Sequence, residues 1–269
     1  MKKSYFIILC TVVFLFGCEK SDRDEDKSTS TSRDVAFATN LVYDVFKTVH
    51  QAAYYSTGIV SSATTDTNTV YGCDTITTDV VSNPKILQVK FNTDCTSNGI
   101  IRNGKLYATV NGFYDVQGTS TTIAIYDYNY NDKTIYSGSM SYQYIGLVDS
   151  FPTYNITFSE LKIVNNYNQK IFYSGSHQLK IIQGKDTQTI SDDVYAITGS
   201  NSGIVFTGNA FTSQITTNLN LAGNCNWIGS GLINVKPNNN PTRTLNFGSG
   251  CDSKINVSIY DKTYELDIP

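Results

Sequence analysis

Apolar and polar residues alternate with a period of two over runs of ten or more residues, and this constrains the chain more than any other feature. Across 171–181 one face carries Ile171, Tyr173, Gly175, His177, Leu179 and Ile181, while Ser174, Ser176, Gln178 and Lys180 make up the other. The run 136–144 repeats this, with Tyr136, Gly138, Met140, Tyr142 and Tyr144 opposite Ser137, Ser139, Ser141 and Gln143. Gly104, Leu106, Ala108 and Val110 follow the same pattern, as do Phe206, Gly208 and Ala210, and Trp227, Gly229, Gly231, Ile233 and Val235. A period of two belongs to a half-buried strand. Tyr, Thr, Ile and Val dominate these runs, and Gly, Asn and Asp cluster between them. The chain reads as all-β.

Glycine recurs on the apolar face of these strands. Gly104, Gly138, Gly175 and Gly208 are spaced by 34, 37 and 33 residues, an interval that suits one long hairpin per unit. Glycine weakens a strand interior, so its repetition predicts sharp curvature or close approach of another backbone. The expected architecture is a strongly curved antiparallel sheet or open barrel with a concave trough. A two-sheet β-sandwich is the alternative.

One segment departs from the period of two. Val35, Ala38, Val42, Val45, Val49 and Ala52 fall at three- and four-residue steps, widened by Leu41, Phe46 and Ala53, while Asn40, Asp44, Lys47, Thr48 and Gln51 fill the other side. This predicts an amphipathic helix over about 34–55, capped by Asp34, with its apolar stripe in the trough.

Six cysteines occur, and Cys73, Cys95, Cys225 and Cys251 lie within the β-rich part. Four cysteines allow three connectivities. The expected pairs are Cys73–Cys95 and Cys225–Cys251, because each brackets one short local segment. The two surroundings also echo each other: Asn-Pro opens both 83–97 and 240–254, and Phe91 and Phe247 each precede the second cysteine by four residues. Two such modules could close the two ends of one curved sheet, whose open edges would otherwise invite aggregation. Paired local staples fit an oxidising compartment.

The N-terminus agrees with export. Lys2 and Lys3 precede the apolar run 4–17, whose fourteen residues are fewer than the roughly 20 a membrane-spanning helix needs. This is the form of a signal peptide. Its end, Leu15-Phe16-Gly17-Cys18, resembles the lipobox of bacterial envelope lipoproteins. That resemblance implies that Cys18 is lipidated and becomes the first residue of the exported chain. With its β-rich composition, the chain resembles the small β-rich lipoproteins of Gram-negative envelopes. The implied location is the outer membrane, lipid-anchored, on the periplasmic or the cell-surface side with the surface favoured. Glu19 lacks the aspartate associated with inner-membrane retention in enterobacteria, and the Asp22–Asp26 cluster resembles the acidic tethers of some surface lipoproteins. The expected division is a signal peptide over 1–17, a disordered acidic tether over 18–33 and a single domain over 34–269.

Function is less legible. Net charge is −3, with no basic stripe, which argues against nucleic acid as a partner. Only two histidines occur, His50 on the polar side of the helix and His177 on an apolar strand face, so no histidine-based metal site is expected. Ser82-x-x-Lys85 and Ser159-x-x-Lys162 match a serine–lysine spacing that a serine-rich chain produces by chance. Asp127 begins an imitation of a calcium loop that fails at Asp132 and Gly138, and 131–133 reads better as a hairpin turn. Asp192 and Asp193, adjacent on a strand, would face opposite ways. No catalytic residue, metal or cofactor is assigned. Tyrosine stands out with 19 occurrences. Tyr126, Tyr128, Tyr130, Tyr142 and Tyr144 are the candidate ligand surface, since a ring with a polar tip suits a sugar face or an amphiphile. The reading is a non-catalytic envelope protein that binds or scaffolds, with a glycan, a lipid or another envelope protein as partner. The alternatives are carriage of an amphiphile in the trough and a glycan-active enzyme.

Overall fold

The computed structural model describes residues 28–62, 64, 66–238 and 240–269. The leader, Cys18 and most of the tether lie outside the described residues. Helix α1 (Ser30–Tyr54) comes first. It is followed by β1 (Asp74–Asp79), β2 (Lys85–Phe91), β3 (Cys95–Ser97), β4 (Ile100–Val110), β5 (Ser120–Tyr130), β6 (Lys133–Val148) and β7 (Phe151–Asn165). The chain continues through β8 (Lys170–Gln183), β9 (Val194–Ile204), β10 (Ala210–Ala222), β11 (Ser230–Pro237), β12 (Arg243–Ser249), β13 (Lys254–Ile259) and β14 (Lys262–Asp267). All belong to one antiparallel sheet. Each strand from β4 to β14 pairs with its neighbours in sequence, β1–β2 continues the sheet beyond β4, and β3 is a side branch on β4. β1 and β14 are its two edges, so the sheet is an open wrap and not a closed barrel.

The wrap encloses the helix. Every helix residue except Ser30, Arg33 and Tyr54 is buried. The apolar stripe meets the sheet as its period of 3.6 requires, with Phe46 against the rings of Tyr142, Tyr154 and Tyr195 at centroid distances of 5.1, 5.7 and 5.9 Å. The polar side is buried as well, which the amphipathic pattern does not predict. Asn40, Asp44, Lys47, Thr48 and Gln51 each find a polar partner on the sheet or its loops. A buried polar group must be hydrogen-bonded, and here the sheet supplies the bond where water was expected.

The helix also begins four residues before Asp34, taking 30–33 from the segment read as tether. Thr29 occupies the cap position without a side-chain cap bond. Asp34 lies inside the helix, and its carboxylate accepts the Phe206 N–H at 3.2 Å. The surrounding sheet buries Thr31 and Ser32, so tertiary cover extends the helix past its local start signal.

Two of the four glycines expected on one strand face, Gly104 and Gly138, mark breaks in the sheet, by a different contact from the one expected. Gly104 and Gly138 have φ of +84° and +128°, and each faces two residues of the next strand across a break in register. A Cβ on Gly104 would stand 2.2 Å from the Asp127 carbonyl oxygen, and one on Gly138 would stand 2.7 Å from Leu161 Cα. These are β-bulges, which sharpen coil and twist. The close approach is to the neighbouring strand, not to the helix. Gly208 lies outside the strands, in the turn between β9 and β10.

Both expected disulfides are present, with Cα–Cα distances of 5.2 Å for Cys73–Cys95 and 5.7 Å for Cys225–Cys251. The echoed modules supply β2 and β12, one and two strands in from the sheet's edges.

Candidate functional site

The five tyrosines do not form one surface. Tyr128, Tyr130 and Tyr142 point inward and are buried beneath the helix, Tyr144 is half-buried, and Tyr126 is 52% exposed. Simple alternation puts 126, 128 and 130 on one face. Asp127, however, adopts φ +48° opposite Gly104, and this bulge reverses the alternation: Ile123 and Ile125 point inward before it, Tyr128 and Tyr130 after it. The bulges of β6 likewise leave Tyr136 exposed while Met140 and Tyr142 face the core.

Tyr128, both histidines and the helix's polar residues are joined to their neighbours by buried hydrogen bonds. Arg102 on β4 donates to both carboxylate oxygens of Asp44, from Nη2 at 2.5 Å and from Nε at 3.1 Å. The Tyr128 hydroxyl donates to the same carboxylate, and the Tyr71 ring lies 4.4 Å from the guanidinium. Burial is the largest influence on the Asp44 pKa and works to raise it, but the Arg102 charge and hydrogen bonds, the Lys47 charge and the Tyr128 hydroxyl together outweigh it and hold the carboxyl below its ordinary value. Lys47 donates to the Cys225 carbonyl, and burial pulls its pKa down to about 8 against the attraction of Asp44. His50 is not at a solvated helix face. Its Nδ1 pairs with the Tyr114 hydroxyl at 2.9 Å, and burial pushes its pKa down to about 3. His177 Nδ1 pairs with the Tyr43 hydroxyl at 2.5 Å, and burial lowers this imidazole to about 4. All of this fixes the helix in the sheet. Because the helix fills the trough, the space assigned to an amphiphile is occupied by the protein itself.

The other motifs are also accounted for. Ser82 donates to Asp79 while Lys85 Nζ donates to the Val80 carbonyl, and Lys162 lies 5.8 Å from the Tyr136 ring centroid. Asp193 accepts the Tyr195 hydroxyl at 2.8 Å, and burial raises it to about 6. Among the described residues no group of three His, Cys, Asp or Glu side chains is placed to hold a metal ion.

What remains is the outward face of the sheet. Two grooves meet there at Ser176. One, of about 510 Å³, is lined by Ser120, Gln143, Asn155, Thr157, Gln178 and Thr198. The other, of about 560 Å³, is lined by Ser200, Ser202, Thr212, Gln214, Asn234 and Lys236. The cause is register. Thr122, Ser141, Thr157, Ser176 and Ser200 are successive partners from β5 to β9, and Ser120, Gln143, Asn155, Gln178 and Thr198 form a second rung two residues away. Among the described residues no Asp or Glu lines either groove, and Lys236 is the one lining residue with a charge.

Hydroxyls and primary amides both donate and accept hydrogen bonds. Some of that capacity is used within the rungs, as between Ser141 Oγ and Thr157 Oγ1 at 2.7 Å, and the rest faces outward. Beneath the grooves His177 Nε2 and Asn201 Oδ1 are buried without a hydrogen-bond partner among the described residues. Outward aromatics flank the rungs: Tyr126 beside Lys105, Tyr136 beside Lys162, and Phe172 beside Ile204. The pattern quoted above as Ser174, Ser176 and Gln178 was the visible signal, but only register shows that other strands align with it.

Compared with family models, curated proteins and solved structures, the chain finds no significant match in any of the three.

Proposed function

We propose that this protein is a lipid-anchored envelope protein that binds a neutral glycan, without catalysis, on the outward face of its wrapped sheet. One observation carries the reading: two adjoining grooves lined by serine, threonine, asparagine and glutamine and by no carboxylate. Sugars offer closely spaced hydroxyls that donate and accept, and such a face answers them in kind. Outward Tyr126, Tyr136 and Phe172 add ring surfaces suited to the apolar side of a pyranose. A glycosidase needs two carboxylates flanking the bond to be cut, and neither groove supplies one. The lipid anchor rests on the lipobox at Leu15–Cys18.

Affinity electrophoresis tests the binding. Migration should slow in gels cast with a neutral glucan, mannan, xylan or galactan, and stay unchanged in gels cast with a polyanionic alginate. Ser176→Glu, at an exposed position, should abolish the retardation and leave the melting temperature within about 1 °C. Equal migration in every gel would defeat the reading. The anchor has its own test, because Cys18→Ser protein should leave the membrane fraction.

A further inference from the structure

The central rung does not stop at the grooves. On one side Thr122 is partnered by Thr109 of β4. On the other, Ser200 is followed in strict register by Gln214, Asn234, Thr244, Ser258 and Thr263, on β10 through β14. Eleven adjacent strands therefore each place an uncharged hydroxyl or amide at one rung, and none of the eleven is buried. Internal bonds recur along it: Thr244 Oγ1 donates to Asn234 Oδ1 at 3.0 Å, and Ser258 Oγ pairs with Thr263 Oγ1 at 2.9 Å. The rung ends where Thr109 meets Ile86 of β2.

We infer that the ligand is an extended, unbranched neutral polysaccharide lying across the strands along this rung, several sugar units at a time. The inference rests on the glycan reading and adds the size and direction of the ligand. Neighbouring strands are about 4.8 Å apart, so the rung repeats its hydrogen-bonding groups at a step close to the rise of one pyranose unit in an extended chain. A compact ligand would need one groove and would leave the rest of the row unused. A polyanion would find no counter-charge along the rung, and a protein partner would ordinarily be met by an apolar centre, which the rung lacks. From Thr122 on β5 to Gln214 on β10 is five strand spacings, or about 24 Å. That is enough for four or five sugars.

The experiment is a length series measured by isothermal titration on the full exported domain. The probes are gluco-, manno- and xylo-oligosaccharides from two to six units, taken from whichever linkage retards the protein in the gels. The hexasaccharide should bind at least tenfold more tightly than the disaccharide of the same linkage. Thr122→Glu, Thr157→Glu and Gln214→Glu, on β5, β7 and β10, should each weaken the hexasaccharide at least threefold, with circular dichroism spectra unchanged. Equal affinity for disaccharide and hexasaccharide, or an effect confined to one of the three positions, would overturn the polymer inference and leave glycan binding standing. Failure of every neutral probe, short or long, would remove both.

Discussion

Asp44 on the helix and Arg102 on β4 meet through two hydrogen bonds, at 2.5 and 3.1 Å, inside the wrapped sheet. The side chains are 3% and 1% exposed, so neither charge has water to fall back on. A buried pair of this kind is weak evidence of net stabilisation, but breaking it leaves an uncompensated charge. Asp44→Leu or Arg102→Met alone should cost about 3–5 kcal/mol in urea unfolding. The double replacement should recover at least half of that loss. Single-variant costs below about 1 kcal/mol would show that water reaches the pair.

Acid should draw stability out of the two buried histidines, with two buried aspartates returning most of it above pH 4. His50 has its pKa lowered from 6.5 to about 3, and His177 from 6.5 to about 4, both by burial. The unfolded chain therefore binds more protons between these values. Stability is fully present above pH 6.5 and falls as the pH drops toward 3. Asp34 and Asp193, raised to about 6 by burial, act in the opposite direction between pH 3.8 and 6. His50 alone should account for about 3 kcal/mol by pH 4. Relative to the parent, His50→Phe should gain melting temperature as the pH drops from 7 to 4; parallel curves would rule His50 out as a contributor.

The bulge glycines can be separated from turn glycines. Gly104 and Gly208 share nearly the same φ, +84° and +82°, but only Gly104 has a neighbour in the way. Gly208→Ala should cost about 1 kcal/mol for its left-handed backbone. Gly104→Ala adds the collision with the Asp127 carbonyl and should cost about 3 kcal/mol or more. Chemical denaturation of the two variants side by side decides it. Matching losses would mean that the bulge relaxes freely.

Two tyrosines at positions 126 and 128 should behave as opposites. Tyr128 is fully buried and bonded to Asp44, so Tyr128→Ser should destabilise by about 3–5 kcal/mol. Tyr126→Ser should change stability by less than about 0.5 kcal/mol and weaken glycan retardation in gels. If the two variants melted alike, the parity reversal at Asp127 would be wrong.

Much of the fold was legible because its signals are local. The period of two at 171–181, the period near 3.6 at 35–52 and the bracketing by Cys73, Cys95, Cys225 and Cys251 each sit in one short segment. The expected sheet, helix and disulfides followed from them. The tyrosine surface is not legible for an equally local reason: simple alternation runs across 126–130, and nothing in Tyr126-Asp127-Tyr128 announces that Asp127 turns to positive φ opposite Gly104. The partner that forces the bulge is more than twenty residues away.

By itself the sequence determined the classes of element, the strand-breaking glycines and the cysteine pairs, because propensity, periodicity and short loop closure act over a few residues. The tertiary structure decided where polarity goes. Asp44, Lys47 and His50 occupy a helix face that reads as solvated, and the sheet closes over that face and bonds each of them. Thr157, Ser176 and Gln214 read as ordinary solvent-facing strand residues until register sets them on one rung. Register is fixed by the packing of all the strands around one helix, and no single strand carries that information.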